Sequence, residues 1–388
     1  MSQRLSVAEL ANLYGFPEKV DGKGETIGII ALGGGYYPED VELLFRSLGQ
    51  PAPKIVDVSV PGHQSRGTNR PVSREILQQL VKALAEGSAP PPDAIATLET
   101  SMDVQIAAAF APGADLVVYF APSADAEGFL YTLLTAIHDS THRPSVISLS
   151  WGWPEPEEMA DGQAKAGVIQ AVDELFALAS QKGMTLCASS GDTGSGVGLP
   201  AADEATAIDW VQFPASSPYA LACGGTSLDG AGLEEVVWSV DVGGTLYAST
   251  GGASKLFDRP EWQQRIVCST LPGLGRGVPD VAGLADQRSG VTFYLGGAEQ
   301  GSAGTSAAAP LWAALIARLN EALGRRLGHV NPRLYRIAKD DPSIFRDVVA
   351  GSNGGFRASL GWDPVTGWGS PHGEKLLAAL AADLEAFP

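Results

Sequence analysis

The chain has 388 residues, 45% hydrophobic and 18% charged, a balance that excludes a disordered chain and requires a large buried core. Lys and Arg total 26 against 44 Asp and Glu, so the net charge is −18, which repels phosphate and excludes a general nucleic-acid binder. An excess of acids also suits a protein that works at low pH.

Length alone leaves one large α/β unit or two open. The N-terminus, MSQRLSVAELANLYGF, lacks the apolar stretch of a secretory signal, so the expectation is a cytoplasmic chain or one trimmed of its leader. Strands are predicted at Thr26–Leu32, Lys54–Val60, Ala114–Ala121, Ser145–Trp151, Met184–Ser189, Ala220–Gly224 and Val291–Leu295. Helices are predicted near 40–49, 101–111, 127–139, 163–182 and 305–323. The strands are almost continuously apolar, which marks burial on both faces, as in a parallel sheet covered by helices. Strand–helix–strand order implies right-handed crossovers and a doubly wound α/β domain. Leu77, Leu80, Val81 and Leu84 recur at helical spacing within 71–89, which predicts an extra amphipathic helix at 73–87. SAPPPDA then ends that helix. Gly/Ser/Thr-rich stretches near 194–206 and 242–254 read as surface loops.

Cys187, Cys223 and Cys268 form no CxxC pair and read as small core residues, not a disulfide framework or a zinc site. No apolar run reaches membrane-spanning length. The five histidines (His63, His138, His142, His329 and His372) read as exposed loop residues, and HExxH is absent.

Three segments carry chemistry. Gly304-Thr305-Ser306-Ala307-Ala308-Ala309-Pro310 opens an apolar helix. Ser306 can cap that helix, or act as a nucleophile whose oxyanion is stabilised by the helix N-terminus. The GTSxxxP pattern before a helix is similar to that of subtilisin-like serine peptidases. A serine nucleophile needs a base, and no histidine stands in a suitable context. Glu99 and Asp103 are i and i+4 on one helical face of a largely apolar segment. At about pH 4 a histidine is protonated, whereas a Glu near its ordinary value of about 4.3 still ionises. Ser190-Gly191-Asp192-Thr193-Gly194 closes an apolar strand, where sites of α/β sheets assemble. A single DTG excludes an aspartic peptidase, which needs two. An Asp at this strand end donates to an oxyanion only when protonated.

Together these residues resemble the sedolisins, the serine-carboxyl peptidases, most closely their kumamolisin branch, over about residues 8–375. LGGGY at 32–36, APGADLVVYFAPSADAEGF at 111–129, SLSWG at 148–152, SGDTG at 190–194, FPASSPYALACGGTS at 213–227, GVPDVAG at 277–283 and GTSAAAP at 304–310 carry the resemblance. It implies a subtilisin-like three-layer α/β fold with a central, mainly parallel sheet flanked by helices. It implies Glu99 as base, Asp103 as the acid that orients it, Asp192 as oxyanion donor and Ser306 as nucleophile of an acid-active endopeptidase. Ser150, Trp151 and Gly152 are expected to border the non-primed substrate pockets. The C-terminal stretch resembles the family's calcium site, with carboxylates from Asp347 and Asp363 and carbonyls from Val348, Ser359 and Gly361 around one structural Ca²⁺.

The expected organisation is one peptidase domain over 1–388, with an insertion at 64–98 and no prodomain in this chain. The expected state is a monomer acting on polypeptides, with no nucleic-acid or membrane partner. The branch often has an acid before LGGGY, where this chain has Ala31, so a shifted pH optimum or weaker activity is expected. A tripeptidyl-peptidase of the same family and a weakly active, calcium-stabilised binding scaffold are the competing functions.

Overall fold

Seven parallel strands build the centre of the protein, seen in a computed structural model that describes residues 4–62, 67–86, 88–155, 162–195, 211–229, 234–267, 271 and 273–387. The sheet strands in chain order are β1 (Thr26–Ala31), β2 (Ile55–Ser59), β3 (Asp115–Phe120), β4 (Val146–Leu149), β5 (Thr185–Ser189), β6 (Ala220–Asp229), β7 (Glu234–Val237) and β8 (Val281–Leu284). Their order across the sheet is β8-β6-β5-β4-β1-β3-β2, and β7 pairs antiparallel to β6. β1 lies between β3 and β4, with Ile27 opposite both Leu116 and Val146. Every residue of β1, β4 and β5 is buried, as their continuous apolar runs require, whereas the edge strand β2 is half-exposed. The order of connection reverses between β1 and β4, which opens a crevice at the carboxyl ends of the central strands.

The described helices are α1 (Val7–Leu13), α2 (Pro38–Ser47), α3 (Arg74–Glu86), α4 (Pro92–Phe110), α5 (Ala126–His138), α6 (Gly162–Gln181), α7 (Glu261–Val267), α8 (Thr305–Leu323), α9 (Asn331–Asp340) and α10 (Gly373–Ala386). α4 and α8 pack together on one face of the sheet, and α5 and α6 on the other. Nearly all of α4 and α8 is buried, so their polar residues can only face each other or the crevice. α3 presents Leu77 and Leu80 to the core as its spacing predicts; the side chains of Val81 and Leu84 lie outside the described residues.

Several expectations are corrected. Val291–Leu295 does form a strand at Thr292–Leu295, but it makes a separate antiparallel hairpin with Ala298–Gly301. The helix expected near 101–111 begins at Pro92, because Pro is tolerated at the first helical turn. The stretch near 242–254 is strand, not loop. Ser239–Val242 pairs with Thr245–Ala248, and Gly243 and Gly244, both at positive φ, make the two-residue turn. Gly252–Asp258 continues it and pairs with Gly275–Val278. Residues 196–206 of the other loop lie outside the described residues.

Cys187 and Cys223 are buried free thiols, while Cys268 and His63 lie outside the described residues. His138 ends α5, and His329 is not an exposed loop residue. It is half-buried beside the Tyr219 and Trp262 rings, its Nε2 is 2.9 Å from the Pro218 carbonyl, and burial pushes its pKa down to about 4. No described helix is long and apolar enough to cross a membrane.

Candidate active site

Four elements converge on the crevice. β4 runs directly into Ser150, β5 leads through Ser190 and Gly191 to Asp192, and the paired helices α4 and α8 bring Glu99, Asp103 and Ser306. Ser306 is the second residue of α8 and is 9% exposed. Its hydroxyl reaches the Ser150 carbonyl at 3.4 Å and lies near the Glu99 carboxyl. A hydroxyl has one proton to donate, and a 3.4 Å contact holds it weakly.

Glu99 and Asp103 stand one turn apart on α4, as the i, i+4 spacing predicts. Asp103 Oδ1 accepts from the Ser150 hydroxyl at 2.9 Å. Asp103 Oδ2 and Glu99 Oε1 are both buried without a hydrogen-bond partner, so each gains from a proton. Burial pushes the Glu99 pKa up to about 8; the nearby Ser306 hydroxyl opposes that shift and the Asp192 charge adds to it. Asp103 is raised well above the ordinary carboxylate range by burial and by the Glu99 charge, and the Ser150 bond opposes the rise. The pair titrates as a unit, and its first ionisation removes one shared proton.

The two oxygens of Asp192 have different surroundings. Oδ1 accepts from the Thr305 N–H and the Thr305 hydroxyl, each at 2.8 Å, and so caps α8 from a residue 113 positions away. Thr305 Oγ1 in turn accepts from the Gly191 N–H at 3.0 Å, which ties the two segments together. Oδ2 faces Gly304, where a Cβ would come within 2.6 Å of it. Gly304 also has φ +80, so both the backbone and the close approach require glycine there. Burial raises the Asp192 pKa and the Thr305 bonds lower it, leaving it above its ordinary value. A carboxyl oxygen that carries a proton beside a helix N-terminus is a hydrogen-bond donor.

Sequence reasoning assigned no part to Thr305 or Pro310. The structure places Ser150 at 8% exposure with its hydroxyl turned inward to Asp103. Trp151 is half-buried, with its Nε1 donating to the Ile30 carbonyl at 3.1 Å, and Gly152 is exposed. Past them, Trp153–Pro154 pairs with Gln212–Phe213 over a cavity of about 250 Å³ lined by Phe129, Trp153, Val168, Ile169, Val172 and Phe213. The signal for Pro310 was present in GTSAAAP: a proline four residues after Ser306 has no N–H for the Ser306 carbonyl.

In the C-terminal stretch, Asp347 Oδ2 accepts from the Gly361 N–H at 2.8 Å, while Oδ1 is buried without a partner. Asp363 is buried and accepts from the Ser359, Val365 and Thr366 N–H groups, each at 2.9 Å. Burial raises Asp347 and pushes Asp363 up to about 6. The Val348, Ser359 and Gly361 carbonyls accept no backbone hydrogen bond among the described residues. No group of three or more His, Cys, Asp or Glu that could hold a metal gathers among the described residues; this stretch offers two carboxylates and neutral oxygens, a set suited to a hard cation.

The family model of the subtilases (Peptidase_S8, Subtilase family) matches residues 94–334. Kumamolisin of Bacillus sp. (strain MN-32) is 43% identical over 385 residues, covering 96% of this chain and 63% of kumamolisin. Sedolisin of Pseudomonas sp. (strain 101) is 39% identical over 253 residues, covering 61% of this chain and 41% of sedolisin. The chain thus spans less than two thirds of the length of these curated relatives. The solved structure of Pseudomonas sedolisin, a serine-carboxyl proteinase complexed with two molecules of pseudo-iodotyrostatin, superposes with a TM-score of 0.81 at 29% identity and covers 99% of both chains. With its seven-strand parallel sheet, flanking helices and these matches, the chain belongs to the subtilase family and, within it, to the sedolisins, the serine-carboxyl peptidase group that includes kumamolisin.

Proposed function

We propose that this chain is an acid-active serine-carboxyl endopeptidase. One observation carries the reading: Ser306, Glu99, Asp103 and Asp192 meet in one crevice, and no described histidine bonds to any of them. The Ser306 hydroxyl attacks the scissile carbonyl as Glu99 takes its proton. Asp103 stabilises the charge of the pair by sharing its proton. Protonated Asp192 Oδ2 and the Ser306 N–H donate to the tetrahedral oxyanion. Glu99 then protonates the leaving amine, and water resolves the acyl-enzyme by the same route in reverse.

The pH sign follows from the three carboxyls. Loss of one proton from the Glu99–Asp103 pair creates the base. Ionisation of Asp192 removes the oxyanion donor. Activity therefore rises and falls as a bell between these two macroscopic steps. Burial raises all three carboxyls, so the rising limb stands above the ordinary carboxylate value. A cleavage assay on a peptide library from pH 2 to 8 tests this. Internal cleavage with a bell-shaped profile supports the reading, and activity that peaks above pH 8 would sink it. Release of tripeptides from free N-termini alone would assign a tripeptidyl-peptidase instead.

We also infer one structural Ca²⁺ held by Asp347 and Asp363 with the carbonyls of Val348, Ser359 and Gly361. The partnerless Asp347 Oδ1 and the undonated carbonyls support the fit. When bound, the ion would cross-link the two C-terminal loops and supply no reacting group. Chelation at neutral pH is expected to lower the melting temperature by several degrees, and Asp363→Asn is expected to abolish that difference. Equal melting with and without chelator removes the assignment.

A further inference from the structure

The mechanism leaves two features unused: the inward hydroxyl of Ser150 and the proline inside α8. Ser150 Oγ is 2.9 Å from Asp103 Oδ1 and 3.3 Å from the Ser306 carbonyl, so one buried hydroxyl faces two acceptors. The second acceptor exists because of Pro310. In an uninterrupted helix the N–H of residue 310 would bond to the carbonyl of residue 306. Proline has no N–H, and its ring pushes that carbonyl outward. The carbonyl turns to Ser150, while the Ser306 hydroxyl leans back on the Ser150 carbonyl at 3.4 Å. The two serines thus form a reciprocal pair across the crevice, between β4 and α8, with Asp103 attached at one end.

We propose that Ser150 is a positioning residue for the peptidase reaction, its single hydroxyl proton divided between Asp103 and the Ser306 carbonyl that Pro310 leaves open. The inference rests on the peptidase reading above. When the dyad is ionised, the hydroxyl donates to Asp103 and favours the charged form. When the dyad takes up the Ser306 proton, the demand at Asp103 falls and the hydroxyl swings to the Ser306 carbonyl, bracing the first turn of α8 while Asp192 and the Ser306 N–H hold the oxyanion. The charged groups acting here are Glu99, on the same helix as Asp103, and Asp192, from the loop after β5, which acts on Glu99.

Two variants should move the pH profile in opposite directions. Ser150→Ala removes the donor, so the dyad ionises less readily. The rising limb of kcat/KM should move up by about one pH unit and kcat should fall about tenfold, with KM little changed. Ser150→Thr keeps the hydroxyl and should restore the wild-type limb. Pro310→Ala supplies an N–H to the Ser306 carbonyl, so the Ser150 proton is left wholly to Asp103. Its rising limb should move down, not up. Melting curves of each variant verify folding, and Ser306→Ala, run alongside, decides the peptidase reading separately. Should Ser306→Ala remain as active as wild type, that reading fails. If wild-type activity depends on Ser306 but Ser150→Ala keeps the wild-type limb, or the Ser150 and Pro310 variants shift it in the same direction, the positioning role is overturned.

Discussion

Replacing Ser306 with Ala is expected to lower kcat on a peptide substrate by on the order of 10⁶-fold, the scale seen when a subtilase loses its nucleophile. The covalent step needs that oxygen, and no other described hydroxyl stands both in reach of Glu99 and at the α8 N-terminus beside Asp192. The fold should barely notice. The Ser306 hydroxyl makes a long contact to the Ser150 carbonyl and lies near Glu99, and Ala is the best helix former. Melting within a few degrees of wild type, with activity gone, is the expected result. Activity within tenfold of wild type would remove the nucleophile assignment and the acyl-enzyme with it.

The second large effect is expected at Asp192. Asp192→Ala should cost roughly 10² to 10³ in kcat, the range for one oxyanion donor. It should also cost about 1 kcal/mol of stability, because the Thr305 N–H and hydroxyl lose their acceptor at the start of α8. Asp192→Asn separates the two jobs. Its amide oxygen still accepts from Thr305, and its NH₂ donates at every pH. The falling limb of the pH profile should therefore move to higher pH, since no carboxyl remains there to ionise. A falling limb unchanged in Asp192→Asn would show that another group sets it. Kinetics across pH 2 to 9 on both variants, with thermal melts, make the comparison.

Much of the site was legible because its parts are local patterns. The i, i+4 spacing of Glu99 and Asp103 sets them on one face of a helix whatever that helix packs against. Asp192 ends an apolar run, and such runs become central strands whose carboxyl ends meet at the crevice. Gly304-Thr305-Ser306 announces a helix start. What was not legible depends on partners distant in the chain. The bond from the Ser150 hydroxyl to Asp103, 47 positions earlier, has no local signature. His329 read as exposed, but Trp262 and Tyr219 enclose it. The stretch 242–254 read as loop from its glycines and small residues, yet Gly243-Gly244 is a tight turn between paired strands. Glycine content marks both loops and hairpins, and only the pairing separates them.

By itself, the chain's order of residues determined the sheet and the inventory. Short apolar β-branched runs between turn signals favour buried strands, and the Ser and carboxyl residue types stand in the sequence without a histidine beside them. The net charge of −18 pointed weakly to work at low pH. The tertiary structure decided how that inventory is wired. It placed Glu99 and Asp103 in a site dry enough to raise both, made Asp192 the acceptor that caps α8, and set Ser150 between Asp103 and the carbonyl opened by Pro310. Periodicity is a property of neighbouring residues, so it reads out burial. Hydrogen-bond partners and carboxyl titration depend on which segments cross, and crossings 113 and 156 residues apart leave no trace in local pattern.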